Sequence, residues 1–228
     1  MRRLLLFDID GTLLDTSGAG RSALRTAMLT VYGETGPIDG FDFHGQTDPA
    51  IVRGLLRSAG RDAWIEARFD VLWEEYYARL AEELARRSGR ISAHPGVVTL
   101  LEQLGADGRF AVGLVTGNME RGACQKLRSC GLGGRFAFGA FGSDSERREE
   151  LPPVARRRAE AALGRPFRLE QAVLIGDTPE DVRCARACGA RAVAVATGRH
   201  AAGDLQAYAP DHVLPDLTDT EAVVRALA

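Results

Sequence analysis

Lysine is almost absent from this chain: Lys126 stands alone among 29 basic residues, and all the others are arginine. With a net charge of −2 and a pI near 6.1 there is no broad positive face for a nucleic-acid backbone or an anionic membrane. An anionic ligand must therefore be held locally. Cysteine is scarce too. Cys124, Cys130, Cys184 and Cys188 show no CxxC spacing, and no histidines cluster beside them, which argues against a disulfide framework or a thiolate metal centre. Cys184 and Cys188 share a helical face, where they read as small packing residues. A reduced cytoplasmic setting is expected. Long hydrophobic runs are missing as well, since the apolar start Leu4 to Phe7 is cut short by Asp8 and Asp10. That is too short for a signal peptide or a membrane span. There is no internal repeat and no low-complexity tract. What remains is an ordinary folding composition, 45% hydrophobic and 26% charged over 228 residues, enough for one large domain or one domain with an insertion.

Short apolar runs recur at Leu4 to Ile9, Ala111 to Val115, Ala172 to Ile175 and Ala192 to Ala196, with helical patterns between most of them. This is the signature of a parallel α/β sheet. Phe136 to Phe141 reads as a further strand and His212 to Leu214 as a short edge strand. About 100 residues separate the first two runs, far beyond the dozen or so that a simple crossover requires. An inserted unit is expected there. Its periodicity is helical: Leu24, Met28 and Val31; then Ile51, Leu55 and Ala59; then Ile65, Phe69, Leu72, Tyr76, Leu80 and Leu84. Trp64, Trp73, Tyr76 and Tyr77 are placed in the longest of these helices as interhelix packing. Glycine, serine and proline interrupt the pattern at Leu14 to Gly20 and at Arg87 to His94, where the links between the two units are expected. The boundaries that follow are 1–14 and 94–228 for the α/β core and 15–93 for the helical unit.

Ligands of parallel sheets sit beyond the carboxyl ends of the strands, and three of the runs end there in polar groups. The first ends in Asp8 and Asp10, which strand alternation puts on one side. The second ends in Thr116-Gly117-Asn118, a hydroxyl and backbone amides ahead of a helix, suited to a phosphate oxygen. The third ends in Asp177-Thr178-Pro179-Glu180-Asp181. If Asp8, Asp10, Asp177 and Asp181 converge, each pair at ~4 Å in an effective dielectric of ~20 repels by roughly 4 kcal/mol. A cation is then required, and an all-oxygen donor set favours Mg²⁺. Each motif also has a plainer reading as a turn or a helix cap. Their ordered combination at successive strand ends is what favours chemistry.

In this combination the chain resembles the haloacid dehalogenase superfamily, whose phosphatases carry DxDGT, a later Ser or Thr, a basic residue and GDxxxD. The resemblance covers nearly the whole chain, and the insertion looks like the cap of the phosphoglycolate phosphatase-like branch. It implies a Rossmann-like parallel sheet core with an all-helical cap domain inserted. By position it implies Asp8 as nucleophile, Asp10 as acid and base, and Thr116 as phosphoryl binder with Gly117 and Asn118. Asp8, Asp177 and the backbone carbonyl of Asp10 would hold Mg²⁺, with Asp181 in support. The basic position departs from the pattern: no lysine followed by proline occurs in Ser145 to Pro152, and Arg148 is the replacement candidate ahead of Arg147. Lys126, on the helix after Thr116, is read as a surface residue.

The resemblance implies a Mg²⁺-dependent phosphatase for a small phosphorylated metabolite, working through an aspartyl phosphate. A phosphomutase using the same intermediate, or a non-catalytic binding module on this fold, is the alternative. A dehalogenase has no need of a second acid at Asp10. A phosphonate hydrolase needs a lysine in the cap, and residues 15–93 contain none. The cap loop Phe41 to Asp48 supplies His44, Gln46 and Thr47 as candidate substrate contacts, against a plainer role for Thr47 or Asp48 in capping a helix.

Overall fold

The computed structural model describes residues 2–228, with Glu66 in its backbone only; Met1 lies outside the described residues. Six parallel strands make the main sheet. They are β1 (Arg3–Phe7), β4 (Phe110–Val115), β5 (Gly139–Ala140), β6 (Val173–Gly176), β7 (Arg191–Val195) and β8 (His212–Leu214), in the order β5-β4-β1-β6-β7-β8. Helices α4 (Val97–Ala106), α5 (Glu120–Ser129), α6 (Leu151–Leu163), α7 (Pro179–Ala187), α8 (Ala202–Gln206) and α9 (Thr220–Leu227) connect and cover it.

The continuous apolar runs are explained by burial on both faces. Along β1, Leu5 and Phe7 pack with Val97, Leu100 and Leu127 of α4 and α5, whereas Leu4 and Leu6 pack with Ala155 and Val182 of α6 and α7. The same alternation holds in β7, where Val193 and Val195 join the first cluster and Ala192 and Ala194 the second. Full burial of a Leu-sized side chain contributes about 1.5–3 kcal/mol, so this central stack is a main anchor of the fold. The strand expected over Phe136 to Phe141 is regular only at Gly139–Ala140, opposite Leu114 and Val115 of β4; the Phe138 carbonyl still accepts from the Leu114 amide at 3.2 Å.

Between β1 and β4 the chain leaves the sheet through β2 (Leu14–Asp15) and returns through β3 (Ser92–Ala93), which pair antiparallel with each other. They lie within the stretches Leu14 to Gly20 and Arg87 to His94. The intervening segment holds α1 (Ala19–Tyr32), α2 (Asp48–Ser58) and α3 (Phe69–Arg86), packed through a separate cluster that includes Met28, Leu55, Leu72 and Leu80. The expected longest helix is shorter than its periodicity suggests. Residues 62–68 form two 3₁₀ turns, and Arg68 departs from helical dihedrals at φ −138° while its guanidinium bonds the Val31 carbonyl at 2.7 Å. Trp64 therefore lies outside α3, 37% exposed and stacked on Tyr32, while Trp73, Tyr76 and Tyr77 are buried as expected. Among the described residues no helix is long and apolar enough to cross a membrane.

Candidate active site

Strand order reverses at β1, since the chain proceeds to β4 and β5 on one side and to β6, β7 and β8 on the other. The crevice beyond such a point is where open α/β sheets bind ligands. A cavity of 480 Å³ opens there, lined by the ends of β1, β4 and β6 and by the helical segment above.

Asp8 follows β1 directly, and its amide still donates to Ile175 of β6 at 2.9 Å, so the carboxylate starts from a paired backbone. One oxygen each from Asp8, Asp177 and Asp181 lie within 4.8 Å of one another. All three residues are buried. Burial pushes the Asp8 carboxyl up to about 6, against the pull of Arg148 and with the charge of Asp181 adding to it. Asp177 is pushed up to about 8, first by burial and then by its neighbours Asp181 and Asp8. Thr12 donates to Asp177 Oδ1 at 3.0 Å, and Gly11, at φ +80°, leaves room for that carboxylate: a Cβ there would come 2.3 Å from Oδ2. Three carboxylates outnumber the one guanidinium among them, and the donors are all oxygen. The cluster thus has the donor set and the charge deficit of a divalent-cation site.

Asp181 also takes the plainer role weighed for it. With Thr178 it forms a capping box at the start of α7, where Oδ2 accepts from the Thr178 amide at 3.0 Å and hydroxyl at 2.6 Å. Its other oxygen is bound by Arg148. Arg148, which opens a 3₁₀ turn just before α6, is 8% exposed and also lies 3.3 Å from Asp8 Oδ1. Asp181 and Asp8 keep its guanidinium charged despite burial, and its Nε has no hydrogen-bond partner among the described residues. Arg147 points away and pairs with Glu149 and Glu150 at 3.0 and 3.2 Å on the surface. Of the two arginines, only Arg148 reaches the carboxylates.

On the other side of the crevice Thr116 is fully buried, and its hydroxyl accepts from Asn118 Nδ2 at 2.8 Å. That amide also donates to Asp10 Oδ2 at 2.7 Å. The same Asp10 oxygen receives Lys126 Nζ at 2.7 Å, and the ammonium donates to Asn118 Oδ1 at 2.5 Å. Lys126 is 5% exposed, so the expectation of a surface residue is overturned. The reason is helical phase: Ala123, Lys126 and Leu127 share the inner face of α5. Burial works against the ammonium, but Asp10 and Asp48 outweigh it and hold its pKa above the ordinary value.

The loop above brings two of its three candidates to the cavity. His44 lines it, with Nδ1 2.6 Å from Asp42 Oδ1 and 3.4 Å from the Arg199 guanidinium. Gln46 lines it too, its side chain bound to the Asp42 carbonyl at 2.6 Å. Thr47 is otherwise engaged: it caps α2 by accepting from the Ala50 amide at 3.3 Å and donates to the Glu146 carbonyl at 2.7 Å. Asp48 bonds the Met119 amide at 2.8 Å, and burial lifts its carboxyl to about 6. Gly117 meets this loop so closely that a Cβ would lie 2.1 Å from the Gln46 carbonyl. Arg21, Tyr76 and Arg199 also line the cavity, and nothing in the motif spacing marks them.

This is the layout of an acid-rich, cation-seeking crevice, and relatives carry names that fit it. Residues 5–186 match the family model for haloacid dehalogenase-like hydrolases. The phosphoglycolate phosphatase of Synechococcus elongatus is 29% identical over 225 residues, covering 98% of this chain and 97% of the relative. Phosphoglycolate phosphatase 1 of Pseudomonas aeruginosa is 30% identical over 220 residues, covering 95% of this chain and 78% of its own. Among solved structures, a predicted phosphoglycolate phosphatase from Haemophilus somnus superposes with a TM-score of 0.71 at 18% identity, covering 98% of each chain. The chain belongs to the haloacid dehalogenase-like hydrolase family and is a phosphoric monoester hydrolase of its phosphoglycolate phosphatase-like branch.

Proposed function

We propose that this protein is a Mg²⁺-dependent phosphatase that hydrolyses a small phosphate monoester through an aspartyl phosphate on Asp8. The observation that carries the reading is the convergence of Asp8 with Asp177, Asp181 and Arg148 on one side of a crevice whose other side holds Asp10. When bound by Asp8 and Asp177, with Asp10 contributing its backbone carbonyl and Asp181 in support, Mg²⁺ supplies positive charge that offsets the repulsion between carboxylate and phosphate.

The residues of the chain divide the work. Asp8 attacks phosphorus in line, the ester P–O bond breaks, and the leaving oxygen takes its proton from Asp10. Water then attacks the aspartyl phosphate, gives its proton to Asp10, and the Asp8 carboxylate leaves. Arg148 neutralises Asp8 and the phosphoryl oxygens, with its unpartnered Nε as a further donor. Thr116, Gly117 and Asn118 hold the phosphoryl group. Residues 15–93 act as a cap over the core of 1–14 and 94–228, and His44 and Gln46 contact the remainder of the substrate, with Thr47 fixing their loop.

A cavity of 480 Å³ suits a small metabolite, and the names of the relatives make phosphoglycolate the first probe. The test is phosphate release with Mg²⁺ across phosphoglycolate, sugar phosphates, nucleotides and pyrophosphate, repeated with Asp8→Asn on the best substrate. Turnover lost in the variant supports the covalent route. Turnover retained in Asp8→Asn, or none by wild type on any ester, overturns the reading. Transfer of the phosphoryl group to a sugar in place of water would make the protein a mutase.

A further inference from the structure

Lys126, the one lysine of the chain, stands where three parts of the molecule meet. Its backbone belongs to α5 of the core, and its ammonium grips Asp10 at 2.7 Å and Asn118 at 2.5 Å. On the far side it faces the helical segment. A Cβ added to Gly20, in the first turn of α1, would lie 3.3 Å from Nζ, 3.5 Å from Cε and 3.8 Å from the Tyr76 hydroxyl. Tyr76 of α3 in turn packs on Gly122, one turn before Lys126, where a Cβ would lie 3.3 Å from its ring. The four-carbon stem of a lysine is flexible, so in a buried slot its ammonium goes where its neighbours leave space. Here Gly20 and Tyr76 bound that space.

We propose that Lys126 is a positioning residue that fixes the Asp10 carboxylate, and that it takes its own place from Gly20 and Tyr76 of the helical segment. Two of its three N–H groups bind the Asp10–Asn118 pair, and the stem closes the gap to α1. Seating of the helical segment is thereby transmitted to the carboxyl that serves the leaving group. The arrangement divides the two buried cations of the site: Arg148 serves Asp8 and Asp181, and Lys126 serves Asp10.

The inference rests on the phosphatase reading, and its test separates the two. The kcat/KM of a phosphatase with a covalent intermediate reports the steps up to and including expulsion of the leaving group, and not the later hydrolysis of the intermediate. Nitrophenolate leaves without a proton, whereas an alkoxide needs one. Lys126→Met is therefore expected to lower kcat/KM by about 10²-fold on the alkyl phosphate turned over fastest in the screen, the low end of general-acid contributions. On p-nitrophenyl phosphate the loss is expected to stay under about tenfold. Gly20→Ala presses on the ammonium while favouring helix α1, so it keeps the fold and shows the same leaving-group bias in smaller measure. If Lys126→Met does not fold, the Gly20→Ala comparison decides. Equal losses on both esters, in a protein whose wild type hydrolyses both, overturn the role of Lys126 and leave the phosphatase reading intact. A Gly20→Ala variant with no leaving-group bias overturns its dependence on the helical segment. A wild type inactive on both esters removes the reading and this inference with it.

Discussion

The floor and the rim of the cavity are built on opposite terms. The floor consists of strand ends, and its groups are already engaged with one another, all of them buried except Asp10, whose side chain is 39% exposed: Asp8 with Arg148, Asp177 with Thr12, Asp181 with Thr178, Asp10 with Lys126. The rim, from Asp42 to Gln46 and at Arg199, is far more open, with the side chains of Asp42 and Arg199 63% and 64% exposed. Charges on the floor act through a low local dielectric and are strongly coupled, while those on the rim are screened by water. On the proposed reading, reaction type is a property of the floor and choice of substrate a property of the rim.

The sharpest way to break this division is at Asp8. Asp8→Asn is expected to cut turnover by on the order of 10⁴ or more while the protein still folds, as read by phosphate release and by circular dichroism. Next in size, Arg148→Ala should lower kcat by about 10²–10³, whereas Arg147→Ala, one residue away but paired on the surface, should stay within about twofold. A comparable loss for both arginines would mean that burial does not separate them.

The third effect concerns stability. The folded-state pKa of Asp177 lies above its ordinary value of 3.8, at about 8, so between those values the folded protein binds more protons than the unfolded chain. Its contribution is therefore fully present below about pH 4 and is lost as pH rises toward 8. In EDTA, Asp177→Asn should match wild type at pH 4 and exceed it at pH 8, measured by denaturant unfolding. Mg²⁺ at a hundred times its Kd should return about 2.7 kcal/mol to wild type at pH 8, and less to the variant. The smallest effect belongs to the rim: Arg199→Ala should leave stability within about 0.5 kcal/mol and show mainly in KM. A large fall in kcat there would erase the distinction.

The same contrast explains what the sequence reveals. Strands β1, β4, β6 and β7 are legible because burial on both faces makes each an unbroken apolar run, and the polar residues after three of them mark the floor. Asp8, Thr116 and Asp177 stand out for that reason. The pairing of β5 over only two residues is invisible, since Phe136 to Phe141 has the composition of a longer strand. Trp64 fits a helical period that the chain abandons at Arg68, where a tertiary bond to Val31 outweighs local preference. Lys126 illustrates a third limit. A charged residue on a helix is usually solvated, and the signal against that reading is positional: it follows Gly122 and Ala123 on a face of small side chains that sits against Tyr76. His44, Gln46 and Thr47 look alike as polar loop residues, yet Thr47 caps a helix while the other two face the cavity.

The pair of two-residue strands β2 and β3 has a consequence for how such an enzyme diversifies. Because Leu14 lies opposite Ala93 and Asp15 opposite Ser92, the inserted helices depart and return at one doorway. Their removal or exchange for another module leaves every hydrogen bond of the six-stranded sheet in place. The cost of closing such a loop grows only slowly with length, so inserts of quite different size are tolerated at the same doorway. A new selectivity can be fitted over old chemistry like a different lens on the same camera mount.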